Sequence, residues 1–153
     1  MRLLILFLGI SLFIHCSSSK KIPSNTTDLE VFLSFSKGPC YGKCPVYNLT
    51  VFENGLIEFQ GVQYTTRLGF FYKWMDKKQF QDWEERLSEL EWQDYDTYYP
   101  NPVSDFPVHK LSFREHEIAG NQILPLEVQE IFQSLDSIAD ESNWKPIVLK
   151  SEL

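Results

Sequence analysis

Apolar and polar residues alternate along residues 29–35, so that Leu29, Val31, Leu33 and Phe35 fall on one side of an extended chain. A repeat of two marks a half-buried strand. A second strand is expected over Val46–Phe52 and a third from Leu56 to about Gly61, joined by Glu53, Asn54 and Gly55. Two registers are open to this hairpin. A two-residue Asn54-Gly55 turn would put Val51 on the same face as Glu58. A three-residue loop pairs Phe52 with Leu56 and gathers Tyr47, Leu49, Val51, Ile57 and Phe59 on one face, leaving Asn48, Thr50, Glu58 and Gln60 on the other. Only the second register separates a dry side from a wet one, and it asks Gly55 to take the left-handed bulge position.

Val62–Trp74 is aromatic and reads as a further strand with a bend near Gly69. From Asp76 to Leu90 the repeat becomes helical. Phe80, Trp83, Leu87 and Leu90 form one stripe, and Asp76 and Gln79 have the spacing of a capping box. The stretch YDTYYPNPVSDFP is a loop that its closely spaced prolines keep non-helical. Val108–Phe113 reads as a strand with His109, Leu111 and Phe113 on one side, paired with residues 118–123 through a turn near Glu115 to Glu117. Pro125 opens a second helix, where its missing N–H costs nothing, with Val128, Ile131, Leu135 and Ile138 as its stripe. This order, with hairpin connections, predicts an α+β fold: an antiparallel sheet of four to five strands with two helices packed on one face.

The N-terminus adds an address. Arg2 precedes a continuous apolar run, Leu3 to Ile14, which fits the core of a signal peptide and is too short to span a bilayer. Cys16 follows directly, and the arrangement resembles a bacterial lipoprotein signal in which that cysteine is lipidated and becomes the new N-terminus. His15 stands where such signals usually carry Gly, Ala or Ser. The competing reading is a plain secretory signal cut near Ser18, which would release the domain. The expected organisation is a signal peptide over 1–15, a lipidated Cys16 with a polar tether to residue 28, one domain over 29–140 and a C-terminal tail over 141–153.

Charge narrows the partners. The 153 residues carry a net charge of −7 and no Lys/Arg cluster. A surface that tracks phosphates needs a basic patch, so nucleic acid is not expected as a partner. The expected partners are a membrane, through the lipid anchor, and an envelope protein or small molecule. No cofactor is expected.

Once Cys16 is set aside, Cys40 and Cys44 remain, an even pair in an oxidising compartment. Their spacing is not the Cys-x-x-Cys of a thioredoxin-like centre, and a strand rather than a helix follows. A structural disulfide is the expectation. It requires the chain to turn at Tyr41-Gly42-Lys43, with Gly42 supplying a positive φ. Zinc would need His109 and His116 as well. Six residues separate them, and in a continuous strand they would face opposite ways, so no metal site is expected. No activated nucleophile or phosphate-cradling glycine loop is present. The leading reading is therefore a non-catalytic binding or interaction domain. The alternative is a thiol- or metal-dependent enzyme or redox factor using the Cys40/Cys44 loop. Candidate ligand contacts are Tyr98 and Tyr99, rigid amphipathic rings on a proline-stiffened loop, together with Asp105.

The stretch SKGPCYGKCPVYNLTVFENGLIEFQG resembles the opening of a bacterial envelope domain family of unknown function, marked by GPC-x-G-x-CP-x-Y leading into a hairpin. VSDFPVHKLSF is similar to that family's second signature, Asp-x-Pro before a strand. The matching positions are Gly38, Pro39, Cys40, Gly42, Cys44, Pro45 and Tyr47, with Asp105 and Pro107. The resemblance runs from about Leu29 to Ser137 and implies a secreted or lipid-anchored α+β domain. It implies no activity.

Overall fold

A computed structural model describes residues 28–100, 105–121 and 124–147. Cys16 and the segment read as signal and tether lie outside these residues. Four strands come first as a meander: β1 (Val31–Lys37), β2 (Val46–Phe52), β3 (Leu56–Gln63) and β4 (Gly69–Trp74). Helix α1 (Lys77–Ser88) and a short 3-10 turn (Trp92–Asp94) lead to β5 (Tyr98–Tyr99). The hairpin β6 (His109–Phe113) and β7 (His116–Gly120) is followed by α2 (Leu126–Asp140) and β8 (Lys145–Pro146). All eight strands join one sheet in the order β5-β7-β6-β1-β2-β3-β4-β8. Each helix is thus a crossover. α1 carries the chain from β4 to the opposite edge, and α2 carries it back.

The β2–β3 hairpin has the three-residue loop. Val51 lies opposite Ile57 and Leu49 opposite Phe59. Gly55 takes φ +80°, and its N–H donates to the Phe52 carbonyl at 2.8 Å. Tyr47, Leu49, Val51, Ile57 and Phe59 are all buried. On the other face the Asn48 amide donates to the Gln60 side-chain oxygen at 2.9 Å.

Both helices supply the same core. Leu87 of α1 and Val128, Ile131 and Leu135 of α2 are buried in one cluster with Leu33, Phe35, Leu111 and Phe113 of the sheet. Burying a side chain of this size stabilises by about 1.5–3 kcal/mol relative to exposure. α1 begins on the capping box: Asp76 Oδ1 accepts the Gln79 N–H at 2.9 Å, and Gln79 Oε1 accepts the Asp76 N–H at 3.3 Å. α2 starts immediately after Pro125 without a side-chain cap. Among the described residues no helix is long and apolar enough to cross a membrane.

Four expectations are corrected. The sheet has eight strands rather than four to five, and it is mixed because β5 runs parallel to β7. Two of the extra strands, β5 and β8, are two residues long; Pro100 follows the first and Pro146 ends the second. A strand that short has no hydrophobic period to read. At the start of β1 the pairing slips between Val31 and Leu33. This bulge turns Val31 outward, 49% exposed, and puts Phe32 in the core beside Leu33. The β6–β7 turn is two residues, Arg114 and Glu115, with Phe113 opposite His116 and Arg114 at φ +53°. That fold-back sets His116 on the same face as His109, at the other end of the hairpin. There it stacks on Trp92 with ring centroids 5.0 Å apart.

Beyond α2, in the segment expected to be a tail, Trp144 is buried and β8 pairs with β4. Lys73 of β4 underlies it. Its ammonium lies 2.7 Å from Glu141 Oε2 and 4.7 Å from the centroid of the Trp144 ring.

Candidate functional site

One register row collects the chemistry. Tyr99 of β5 lies beside Gly120 of β7, Gly120 opposite His109 of β6, His109 opposite Lys37 of β1, and Lys37 opposite Tyr47 of β2. Residues so paired point to the same side of a sheet. The row therefore places a phenol, an ammonium and an imidazole shoulder to shoulder on the core face. Gly120 makes room at one end: a Cβ there would come within 3.0 Å of Tyr99 and 2.9 Å of Leu124.

Asp136 of α2 closes the row from above. Its Oδ1 accepts the Tyr47 hydroxyl, and its Oδ2 lies 2.9 Å from Lys37 Nζ. His109 Nε2 is 3.8 Å from the same oxygen, too far for a hydrogen bond. Both ring nitrogens of His109 are buried and have no hydrogen-bond partner. The ring stacks on Phe35 and lies against Phe132. Burial pushes the His109 pKa down, partly opposed by Asp136 and reinforced by Lys37. The net effect favours the uncharged imidazole. Burial, with Asp136 as the second cause, raises the Tyr47 pKa and holds its proton in place.

Beside this cluster lies a cleft of about 340 Å³. His109, Phe132 and Asp136 line one part, and Asn121, Leu124, Gln129 and Gln133 the rest. Gln129 donates through Nε2 to the Leu124 carbonyl at 2.6 Å, which fixes its amide. Gln133 is exposed.

The disulfide loop sits at the same end of the sheet. Cys40 and Cys44 are bonded, with Cα atoms 5.7 Å apart. The two sequence signatures meet here, because the Gly38 N–H donates to the Val108 carbonyl at 2.8 Å. A Cβ on Gly38 would lie 3.2 Å from that oxygen. Tyr47, the last residue of the first signature, anchors the loop through the core. Pro39, Gly42 and Pro45 are exposed, and Tyr41 at the tip is 91% exposed. Gly42 does not take the expected positive φ; among the described glycines only Gly55 and Gly69 do. The ring closes with ordinary backbone, and the Gly42 N–H points to Cys40 Sγ at 3.2 Å.

The remaining candidates scatter. Tyr99 is half-buried against the core, and its hydroxyl accepts the Asp96 N–H at 2.9 Å. Tyr98, one position earlier, is 54% exposed. Asp105 is exposed and Pro107 half-buried. The row thus takes in Tyr99 and Tyr47 and leaves out Tyr98 and Asp105. Among the described residues no three His, Cys, Asp or Glu side chains group closely enough to hold a metal ion.

Lys37 and Asp136 escaped the sequence reading, although each left a trace. Lys37 continues the alternation of Leu33 and Phe35. Asp136 follows Val128 and Phe132 at helical spacing. A charge on the apolar face of both elements was the signal.

The fold and this cluster define an α+β sheet domain with a half-buried ion pair under its second helix. The chain belongs to DUF6438, a domain of unknown function, which matches residues 31–139. Comparison with curated proteins and with solved structures found no match.

Proposed function

We propose that this protein is a non-catalytic binding module, lipid-anchored in the cell envelope through Cys16, whose ligand site is the cleft beside α2. The anchor reading rests on the apolar run ending at Cys16 and the polar stretch that follows it. The binding reading rests on one observation: His109, in the wall of the cleft, keeps both ring nitrogens buried and unpartnered. Such a group costs roughly 1–3 kcal/mol and calls for a reason beyond folding. A phenylalanine would pack between Phe35 and Phe132 without that cost. The reading is non-catalytic because the other polar groups of the cluster are tied up. Lys37 and Tyr47 are both committed to Asp136.

The test is a thermal-shift screen of metabolite-sized compounds against the wild type and Gln133→Trp, whose indole fills the cleft from an exposed position. Compounds that stabilise the wild type and leave the variant unmoved are the expected result. A broad library yielding none overturns the reading.

A further inference from the structure

We propose that the cleft is an acid-gated site for a small monocarboxylate, which binds as His109 takes up a proton, an inference that rests on the cleft being the ligand site. Charge comes first. Lys37 and Asp136 lie 2.9 Å apart and cancel each other. Along the row and above it, the neighbours of the imidazole are Lys37 of β1, Tyr47 of β2, Gly120 of β7, Tyr99 of β5 and Asp136 of α2. Lys37 and Asp136 are the charged groups that act on the ring, and Asp140, one turn further along α2, acts on Tyr47 instead. A proton on His109 therefore leaves the cluster with one uncompensated positive charge. A single negative charge in the cleft cancels it, whereas a cation adds to it. An uncharged ligand leaves it in place at a desolvation cost.

Hydrogen bonding comes next. An imidazolium donates from both ring nitrogens. Nε2 has Asp136 Oδ2 at 3.8 Å, and a shift of about 1 Å would bring it into bonding range. Nδ1 has no such acceptor. Phe35 and Phe132 flank the ring, and the cleft is its remaining side. Stacking alone holds the ring, so turning it toward the cleft breaks no hydrogen bond. A carboxylate placed there accepts a charge-assisted N–H bond. The gate follows from the same surroundings. Burial disfavours the charged ring, Asp136 opposes that and Lys37 adds to it, so the balance favours the neutral form until an anion arrives. Leu124 and Phe132 give the cleft an apolar wall for the hydrocarbon body of an organic acid. The volume, about 340 Å³, lies at the small end of ligand clefts and suits a molecule of that size.

The test is an NMR titration of the full-length, nitrogen-15-labelled chain in a non-ionic detergent, from about pH 7.5 to about pH 5.5, a span that brackets an ordinary histidine. The probe is butyrate. The comparators are butyramide, its uncharged isostere, butylammonium and inorganic phosphate. Each butyrate bound should bring one proton with it. Its Kd should therefore fall about tenfold per pH unit wherever the free ring is neutral. The His109 ring signals should move to the imidazolium position on binding, at a pH where the free chain shows the neutral ring. His109→Phe should abolish both binding and its pH dependence. Four results overturn the proposal: butyrate that leaves the His109 signals unmoved, a Kd that does not change with pH, a comparator that binds as tightly, or a His109→Phe chain that binds like the wild type. If the Gln133→Trp screen still finds cleft-dependent compounds while butyrate fails, the ligand class and its gate fall and the binding reading stands. If both fail, the cleft itself is ruled out.

Discussion

Tyr47 on β2 donates its hydroxyl to Asp136 on α2, a residue 89 positions further along the chain. This bond ties the middle of the sheet to the second crossover helix. Tyr47→Phe should lower stability by about 1–3 kcal/mol, because it leaves one carboxylate oxygen without its partner. Urea unfolding measures the loss. The pH dependence has a definite sign. The Tyr47 pKa is raised in the folded state, so the native chain holds this proton more tightly than the unfolded one. The contribution is complete below pH 10 and falls as pH rises above it. Ultraviolet titration should show one of the seven tyrosines resisting ionisation until the fold opens.

His109 should act in the opposite range. Burial lowers its folded pKa below the ordinary 6.5, so the unfolded chain binds the extra proton more readily. Stability is complete above pH 6.5 and declines as pH falls from there. His109→Phe should flatten this acid limb and raise the melting temperature at neutral pH. A variant whose melting temperature tracks the wild type from pH 7.5 to pH 5, values chosen to bracket an ordinary histidine, would mean that the imidazole is solvated.

Leu87 is fully buried at the centre of the α1 stripe. Leu87→Ala should cost about 2–5 kcal/mol by denaturant unfolding. A loss of less than about 0.5 kcal/mol, typical of surface changes, would place α1 off the core.

Replacing both Cys40 and Cys44 by serine opens a very small ring, so the loss should be modest, about 2 kcal/mol on the chain-entropy account. The far-ultraviolet spectrum should stay that of the wild type, because the loop is outside the core. Mass spectrometry of the non-reduced wild type should show no alkylatable thiol at either position. Two free thiols there would return the loop to thiol or metal chemistry.

The proposed anchor is tested by Cys16→Ser, which should move the protein from the membrane to the soluble envelope fraction. Retention in the membrane with an intact N-terminus would identify an uncleaved anchor instead.

Much of the architecture was legible because each feature carried its own local period. The β2–β3 register could be chosen since one alternative would have buried Glu58. The capping box announced α1 from Asp76, four positions before its first apolar residue, Phe80. What was lost had no period or broke one. The bulge at the start of β1 puts Phe32 and Leu33 in the core together, which strict alternation forbids. β5 and β8 are recruited by neighbours, not by their own sequence. The site was only half visible for a related reason. Tyr47 and His109 lay on recognised faces, but Asp136, which accepts from Tyr47 and stands 3.8 Å from His109, belongs to a helix whose position over the sheet no local pattern reveals.

The chain enters the fold on β1, which lies in the interior of the sheet with β2 on one side and β6 on the other. Its direction of entry has a mechanical meaning. Tension applied through the residues before Val31 runs along the strand axis, perpendicular to the interstrand hydrogen bonds on both flanks. Such a load strains the bonds of both ladders together, in shear, whereas an edge strand pulled sideways would open one bond at a time. A domain suspended by its N-terminus from a moving surface would therefore hang from the strand best placed to carry the force.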